Sequence, residues 1–252
     1  MRIICLGDSI TQHNDFSTYP QTGWVQELVR FFPADTQFLN FARNGRSTKS
    51  FIEEGRFADA LKSLKDDDFV LIQFGHNDEK IADPTRYTSP KENGEFQQNL
   101  EFFVNKLREH AANPILLTPM CRRKFSNGKL EDTHGDYPAA IKRVAEKLNV
   151  PCIDMTTLTS EFIEKVGEKD SRRFFMNFDG GLYENYPDGK DDNSHLRPDG
   201  AFAFSKIFAQ EISKIGEKYI YYKKISQSVL IKPVEKTGND KEIDDEAVIF
   251  KK

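Results

Sequence analysis

The chain has 252 residues, enough for one sizeable domain, and its 38% apolar and 30% charged residues give a water-soluble globular composition. A net charge of −4 argues against nucleic acid, because phosphate binding needs clustered cation excess. No apolar run approaches the ~20 residues of a membrane helix, and Met1-Arg2-Ile3-Ile4-Cys5-Leu6-Gly7 is too short for a secretory signal, so no membrane partner and a cytoplasmic location are expected. In chain order, an apolar run at 3–6 predicts a first strand, and Trp24, Leu28 and Phe32, spaced four apart, predict a helix. A strand at 37–41 and a helical stretch through Phe57, Leu61 and Leu64 follow. A strand at 69–74 precedes a helix carrying Phe96, Leu100 and Val104, and a strand at 114–118 precedes a stretch whose Ile141, Ala145 and Asn149 follow the helical pattern only in part. The fifth strand is expected at 151–155. The last long helix should begin near Asp199-Gly200 and turn Phe204, Ile207, Phe208 and Ile212 inward. This alternation predicts an α/β fold, a three-layer α/β/α sandwich on a five-stranded parallel sheet of flavodoxin-like type.

Two stretches interrupt the alternation. Residues 125–136 read as a polar, glycine-containing loop, and residues 174–198 as a longer loop with two Gly-containing turns and few aliphatics. Loops of this length in a compact domain are usually functional or disordered. Beyond Gly216 the pattern weakens: 229–231 and 248–250 could form short strands and 237–246 is expected to be exposed, so residues 1–220 read as the domain and 221–252 as an extension of it. Cys5, Cys121 and Cys152 show no metal spacing, and their odd number fits free thiols, with Cys5 and Cys152 expected as buried filler.

In parallel α/β sheets, ligands sit outside the carboxyl ends of the strands. The first strand is followed by Gly7-Asp8-Ser9-Ile10-Thr11, the second by Ala42-Arg43-Asn44-Gly45-Arg46-Ser47 and the third by Gly75-His76-Asn77-Asp78. Asp192-Asn193-Ser194-His195 lies just before the last helix. A serine hydroxyl needs a base to take its proton and a third group to orient that base. Asp192 and His195, three apart, can bring a carboxylate to the imidazole Nδ1 and leave Nε2 to face a serine. Attack on an ester generates an oxyanion, for which the Ser9 N–H, the Gly45 N–H and the Asn77 amide are candidate donors. Each piece alone has a plainer reading: Gly-Asp-Ser as a turn into a helix cap, Asn44-Gly45 as a turn pair, Gly-His-Asn-Asp as a polar turn. All four at successive strand ends form a joint coincidence that chance does not readily supply.

Together these blocks resemble the four blocks of the SGNH (GDSL-like) hydrolase superfamily. The resemblance implies Ser9 as nucleophile, His195 as base, Asp192 as triad acid, and Ser9, Gly45 and Asn77 as the oxyanion hole. It implies no cofactor and no metal. Asn44-Gly45-Arg46-Ser47-Thr48-Lys49-Ser50-Phe51, Glu54-Gly55-Arg56-Phe57 and Phe74-Gly75-His76-Asn77-Asp78 are similar to the rhamnogalacturonan acetylesterase branch, across nearly all of residues 1–216. That branch implies removal of acetyl groups from pectin sugars, with an acetylated oligosaccharide as partner. Two rivals stay open, a lipase or thioesterase of the same superfamily and a carbohydrate-binding module with a dead site.

The Gly-x-Ser-x-Gly elbow of larger α/β hydrolases is absent, and His13, His76, His110, His134 and His195 show no metal-binding spacing. His76 is expected to support the Asn77 turn, His110 to sit at a helix end, His134 in an exposed loop, and Asp66-Asp67-Asp68 in a solvated turn. Trp24 falls on the core face of its helix, while Tyr183 and Tyr186 are candidates for a sugar-stacking platform. A rhamnogalacturonan carries a carboxylate on every galacturonate, so Arg46, Lys49, Arg122, Arg123 and Lys124 are the cations at strand ends expected to supply a contact, Arg122 and Arg123 foremost.

Overall fold

A computed structural model describes residues 1–215. The stretches anticipated at 229–231, 237–246 and 248–250, and the extension over 221–252, lie outside the described residues. In chain order the elements are β1 (Arg2–Gly7), α1 (Trp24–Leu28), β2 (Gln37–Asn40), α2 (Thr48–Glu53), α3 (Arg56–Ser63), β3 (Phe69–Gln73), α4 (Glu95–Glu109), β4 (Asn113–Leu117), β5 (Phe125–Ser126), β6 (Lys129–Leu130), α5 (Tyr137–Leu148), β7 (Cys152–Ile153), α6 (Met155–Val166), α7 (Glu168–Ser171), β8 (Phe175–Asp179), β9 (Gly189–Leu196) and α8 (Pro198–Ile212). Among the described residues no helix is long and apolar enough to cross a membrane.

Five strands pair in parallel in the order β2-β1-β3-β4-β7, as the alternation of apolar runs and helices predicts. Successive side chains of a strand point to opposite faces, and here both faces are covered, which is why the strands read as unbroken apolar runs. Ile3, Cys5, Leu71, Ile115, Leu117 and Ile153 pack against Trp24, Leu28, Ile163, Phe204 and Phe208 of α1, α6 and α8. Ile4, Leu6, Val70, Ile72 and Leu116 face Phe51, Phe57, Phe103, Leu107, Ile141 and Val144 of α2 to α5. In that second layer the rings of Phe57 and Phe103 lie 4.5 Å apart and those of Phe51 and Phe74 5.2 Å apart. Cys5 is buried as expected and Cys121 is buried too, whereas Cys152, expected to be buried, is only half-buried; all three thiols are free.

The registers set the site. Cys5 is level with Asn40 of β2 and Leu71 of β3, and Gly7 with Gln73, so β1, β2 and β3 release their following loops at one edge.

Several local expectations are corrected. The fifth strand is only two residues long, because the Asp154 side chain accepts the Thr157 N–H at 3.2 Å and starts α6 there. The helical spacing at Trp24 yields one short turn of α1 followed by a 3-10 turn over Val29–Phe31, though Trp24, Leu28 and Phe32 are all buried. The long stretch at 174–198 is an antiparallel hairpin, β8 paired with β9, with Phe175 opposite Leu196. Its second strand is so polar that no alternation marks it. The 125–136 loop contains a small hairpin, β5 with β6, whose Asn127-Gly128 turn has φ of 50° and 76°. Of the three consecutive aspartates, Asp66 and Asp67 are exposed but Asp68 is buried, accepting the Lys65 N–H at 2.8 Å and lying 3.5 Å from Arg2.

Candidate active site

Ser9 leaves the carboxyl end of β1 in a tight turn. The Asp8 carbonyl accepts the N–H groups of Thr11 at 3.2 Å and Gln12 at 2.9 Å, and the Asp8 carboxylate accepts that of Ile10 at 3.0 Å. Gly7 permits this turn to sit close to β3: a Cβ there would stand 2.7 Å from the Gln73 carbonyl oxygen.

His195 and Asp192 come from β9, far along the chain. Asp192 Oδ1 accepts the N–H groups of Ser194 at 2.9 Å and His195 at 3.0 Å, a local turn that aims Oδ2 at the imidazole. Oδ2 lies 2.7 Å from His195 Nδ1, and His195 Nε2 lies 2.8 Å from Ser9 Oγ. Burial pushes the Asp192 carboxyl up, but the hydrogen bond and charge of His195, with the two N–H donors, outweigh it and hold the group at about 2. An ionised carboxylate, an imidazole and a hydroxyl therefore stand in line, the order needed to take a proton from the hydroxyl. The hairpin is anchored behind this line. Asn177 Nδ2 donates to Asp191 Oδ1 at 2.8 Å and to Asn193 Oδ1 at 2.9 Å, and the Leu196 carbonyl accepts the Thr22 N–H at 2.9 Å.

Gly45 and Asn77 lie on the loops that follow β2 and β3, the strands on either side of β1. Gly45 has φ of 78°, a left-handed conformation that side chains disfavour. Among the described residues, the N–H groups of Ser9 and Gly45 donate to no protein acceptor. Asn77 Nδ2 spends one bond on the Arg46 carbonyl at 3.1 Å, which fixes its amide, and as an NH₂ group it keeps a second donor.

The loops are held by a buried polar layer that the sequence reading did not single out. Gln73 Oε1 accepts Thr11 Oγ1 at 2.9 Å and Trp24 Nε1 at 2.8 Å, joining the Ser9 turn to α1 and β3. Asp78 Oδ1 accepts the N–H of Thr48 and the hydroxyls of Thr48 and Thr88, and the Asp78 carbonyl accepts the Tyr137 hydroxyl at 2.8 Å. A threonine at a helix start and a tyrosine after a loop carry no sequence mark of such a role, because their partners are distant in the chain.

His76 is buried beneath the turn, its Nδ1 3.4 Å from Asp8 Oδ2. Burial holds its imidazole below the ordinary histidine value against the pull of Asp8, while the His76 partner outweighs burial at Asp8 and keeps that carboxyl below the usual range. His134 departs from the expectation of an exposed loop histidine. It is buried with its ring edge-on to His76 at 4.8 Å, its Nε2 2.8 Å from the Met120 carbonyl and its Nδ1 3.1 Å from Glu79. The small hairpin before it folds the loop back under the site, which the local polarity of 125–136 does not foretell. His110 caps α4 and is exposed.

The cations anticipated for substrate are differently employed. Arg122 pairs with Glu79 and donates to the Thr133 carbonyl at 3.2 Å. Arg123 donates to Asn193 Oδ1 at 2.9 Å, Ser171 Oγ at 3.2 Å and the Glu168 carbonyl, clamping β9 to α7. Arg46 pairs with Glu54 at 2.9 Å, Lys49 with Glu95 at 3.5 Å and Lys124 with Glu131 at 2.6 Å. Tyr183 is half-buried, its hydroxyl 3.3 Å from Arg197 and its ring 4.7 Å from Phe178 and 5.9 Å from Tyr19. Tyr186 is also half-buried and donates to the Thr18 carbonyl at 3.3 Å. Both tyrosines therefore stand in the wall where the hairpin meets the Ser9 loop.

A parallel α/β/α sandwich with a serine, histidine and aspartate in line at its carboxyl edge is the architecture of a serine-type ester hydrolase. Residues 5–201 match the GDSL-like Lipase/Acylhydrolase family. The chain belongs to that family and is an SGNH-type esterase. It is 37% identical over 217 residues, 86% of this chain and 91% of the other, to "Rhamnogalacturonan acetylesterase RhgT" of Bacillus subtilis (strain 168). It is 34% identical over 214 residues, 85% of this chain and 93% of the other, to "Probable rhamnogalacturonan acetylesterase YesY" of the same organism. In fold it resembles the crystal structure of Axe2, an acetylxylan esterase from Geobacillus stearothermophilus, with a TM-score of 0.60 at 17% identity over 83% of this chain and 93% of the other.

Proposed function

We propose that this esterase removes O-acetyl groups from acetylated rhamnogalacturonan (pectin) oligosaccharides, with Ser9 as nucleophile. The observation that carries the reading is the hydrogen-bonded line from Asp192 through His195 to Ser9, with 2.7 and 2.8 Å links, in a chain 37% identical to a rhamnogalacturonan acetylesterase.

His195 Nε2 takes the Ser9 proton as Oγ attacks the acetyl carbonyl, and Asp192 holds the imidazole by Nδ1 and stabilises the imidazolium. The oxyanion of the tetrahedral intermediate is received by the N–H groups of Ser9 and Gly45 and by Asn77 Nδ2, donors fixed before the charge develops. The imidazolium then protonates the departing sugar oxygen, leaving an acetyl-serine. Water, deprotonated by His195, attacks that ester, acetate leaves and Ser9 regains its proton. The steps need only these side chains and water.

Acetate release measured on acetylated rhamnogalacturonan, xylan and chitin oligosaccharides tests the reading. The highest kcat/KM is expected on rhamnogalacturonan. A clear preference for xylan or chitin would overturn the pectin assignment and leave the esterase. No acetate release from any of them, with p-nitrophenyl acetate also untouched, would favour a binding module instead.

A further inference from the structure

A second feature at this edge bears on how an acidic sugar is held. The cations first expected to meet substrate are paired with protein groups, whereas Lys80 has no such partner among the described residues and Arg86 is paired through its Nε alone. Arg86, in the loop between β3 and α4, gives its Nε to Asp83 at 2.5 Å, and its Nη1 reaches over the Gly45 turn. A Cβ on Gly45 would stand 3.6 Å from that Nη1 and, its chain neighbours Asn44 and Arg46 aside, would meet no other heavy atom of the described residues within 4 Å. The guanidinium is thus the protein's own neighbour to the glycine, whose bare Cα leaves the rest of that space open to a ligand. Lys80 follows Asn77 in the same turn, its N–H donating to the Asn77 carbonyl at 3.2 Å. It is exposed and, among the described residues, its ammonium has no ion-pair or hydrogen-bond partner.

The two cations also feel one another. Burial, then the positive charges of Arg86 and Arg122, hold the Lys80 ammonium below the ordinary lysine value. Of the nearby acids, Glu79 is occupied by Arg122 and His134, and Asp83 by Arg86 and Thr85. Asp8, whose charge also reaches Lys80, is buried against His76, so each of these acids is already engaged and, among the described residues, the Lys80 ammonium is left without one. An ammonium with no protein partner and a guanidinium with free N–H groups both suit a carboxylate.

We propose that Lys80 and Arg86 form a subsite for a uronate carboxylate lying within one sugar unit of the scissile ester. The inference rests on the reading of this chain as an acetylesterase of acidic pectin oligosaccharides, and it assigns to these two residues the preference for an acidic over a neutral chain. Gly45 then has two duties: its N–H faces the oxyanion, and its missing side chain keeps Arg86 in reach of the carboxylate.

The test compares kcat and KM on acetylated rhamnogalacturonan oligosaccharides and on neutral acetylated xylo-oligosaccharides, for the wild type, Lys80→Met, Arg86→Met, the double variant and Lys80→Arg. The ratio of kcat/KM for the acidic over the neutral substrate should fall about tenfold in each single variant and further in the double, mostly through KM on the acidic substrate. Lys80→Arg should keep most of the ratio. Raising salt should lower the wild-type ratio and leave that of the double variant nearly flat. Thermal unfolding confirms that the variants are folded. A double variant with the wild-type ratio overturns the subsite while leaving the pectin reading intact. A wild type that does not favour the acidic substrate overturns the pectin reading, and the subsite with it.

Discussion

Asp78 and Thr48, thirty residues apart, tie the Gly45 and Asn77 loops together: Asp78 Oδ1 accepts the Thr48 N–H at 2.9 Å and the Thr48 hydroxyl at 2.6 Å. Asp78 adjoins Asn77, and Thr48 opens the helix that follows the Gly45 turn. The two loops are thus joined one residue from Asn77 and three from Gly45.

That bond has a consequence for stability. Burial pushes the Asp78 carboxyl up from 3.8 to about 7 in spite of the Thr48 and Thr88 donors, and among the described residues its Oδ2 has no hydrogen-bond partner. In the unfolded chain the carboxyl ionises near 3.8. As pH rises from there to about 7, the unfolded state sheds a proton that the folded state keeps, and folding is progressively disfavoured; above about 7 both are ionised and the penalty is constant. Asp78→Asn keeps an oxygen for the three donors and removes the titration. Its unfolding free energy relative to wild type should climb from pH 4 to pH 7 and then level off. Urea unfolding across this range measures it, and a difference independent of pH would show that Asp78 does not titrate there.

Ser9→Ala should abolish ester hydrolysis and leave the fold intact, since among the described residues the Ser9 side chain bonds only His195 and the turn is held by Asp8. Loss of a triad member typically lowers rate by orders of magnitude. Turnover of p-nitrophenyl acetate by a folded Ser9→Ala protein would remove Ser9 from the mechanism.

Asn77→Ala should lower kcat about 10²–10³-fold with little change in KM, because the amide is asked to bind the oxyanion and not the ground state. Steady-state kinetics decide the matter, and an effect confined to KM would assign Asn77 to substrate binding.

Asp192→Asn keeps an acceptor for the Ser194 and His195 N–H groups but turns an amide toward His195 Nδ1. The imidazole is then oriented in the wrong tautomer to act on Ser9, and kcat should drop roughly 10⁴-fold at neutral pH with the circular dichroism unchanged. Retention of more than a tenth of the activity would leave Asp192 with a merely structural part.

Arg123→Ala removes the clamp between β9 and α7, so it should lower stability by about 1–2 kcal/mol. It should reduce kcat on acidic, neutral and p-nitrophenyl substrates alike, because Asn193 lies two residues from His195. A selective rise in KM for acetylated pectin oligosaccharides would instead return Arg123 to the substrate contacts first expected of it.

Much of this site could be read from local order. Ser9, Gly45 and Asn77 each follow a short apolar run, and a parallel sheet carries the ends of such runs to one edge. Asp192 and His195 are close enough in sequence for a single turn to orient one on the other. The hairpin that carries them escaped notice because β9, Gly189–Leu196, is polar nearly throughout: its side chains serve the site and its neighbours and not a core, so no apolar alternation records the strand. His134 was misjudged for a related reason. Its loop is polar in composition, yet it closes over Glu79, Met120 and His76, residues 55, 14 and 58 positions away.

The sequence by itself determined the layers, since burying both faces of a parallel sheet requires apolar runs and amphipathic helices in alternation, a pattern written over a few residues at a time. It determined the order of the strand-end motifs for the same reason. The tertiary structure alone decided which polar groups meet: Gln73 with Thr11 and Trp24, Asp78 with Thr48 and Thr88, Arg122 with Glu79, and Arg86 with the bare face of Gly45. A buried donor or a charge takes whatever partner the packed chain brings within hydrogen-bond distance. That choice depends on how loops from separate strands close over one another, and nothing in the local spacing of residues encodes it.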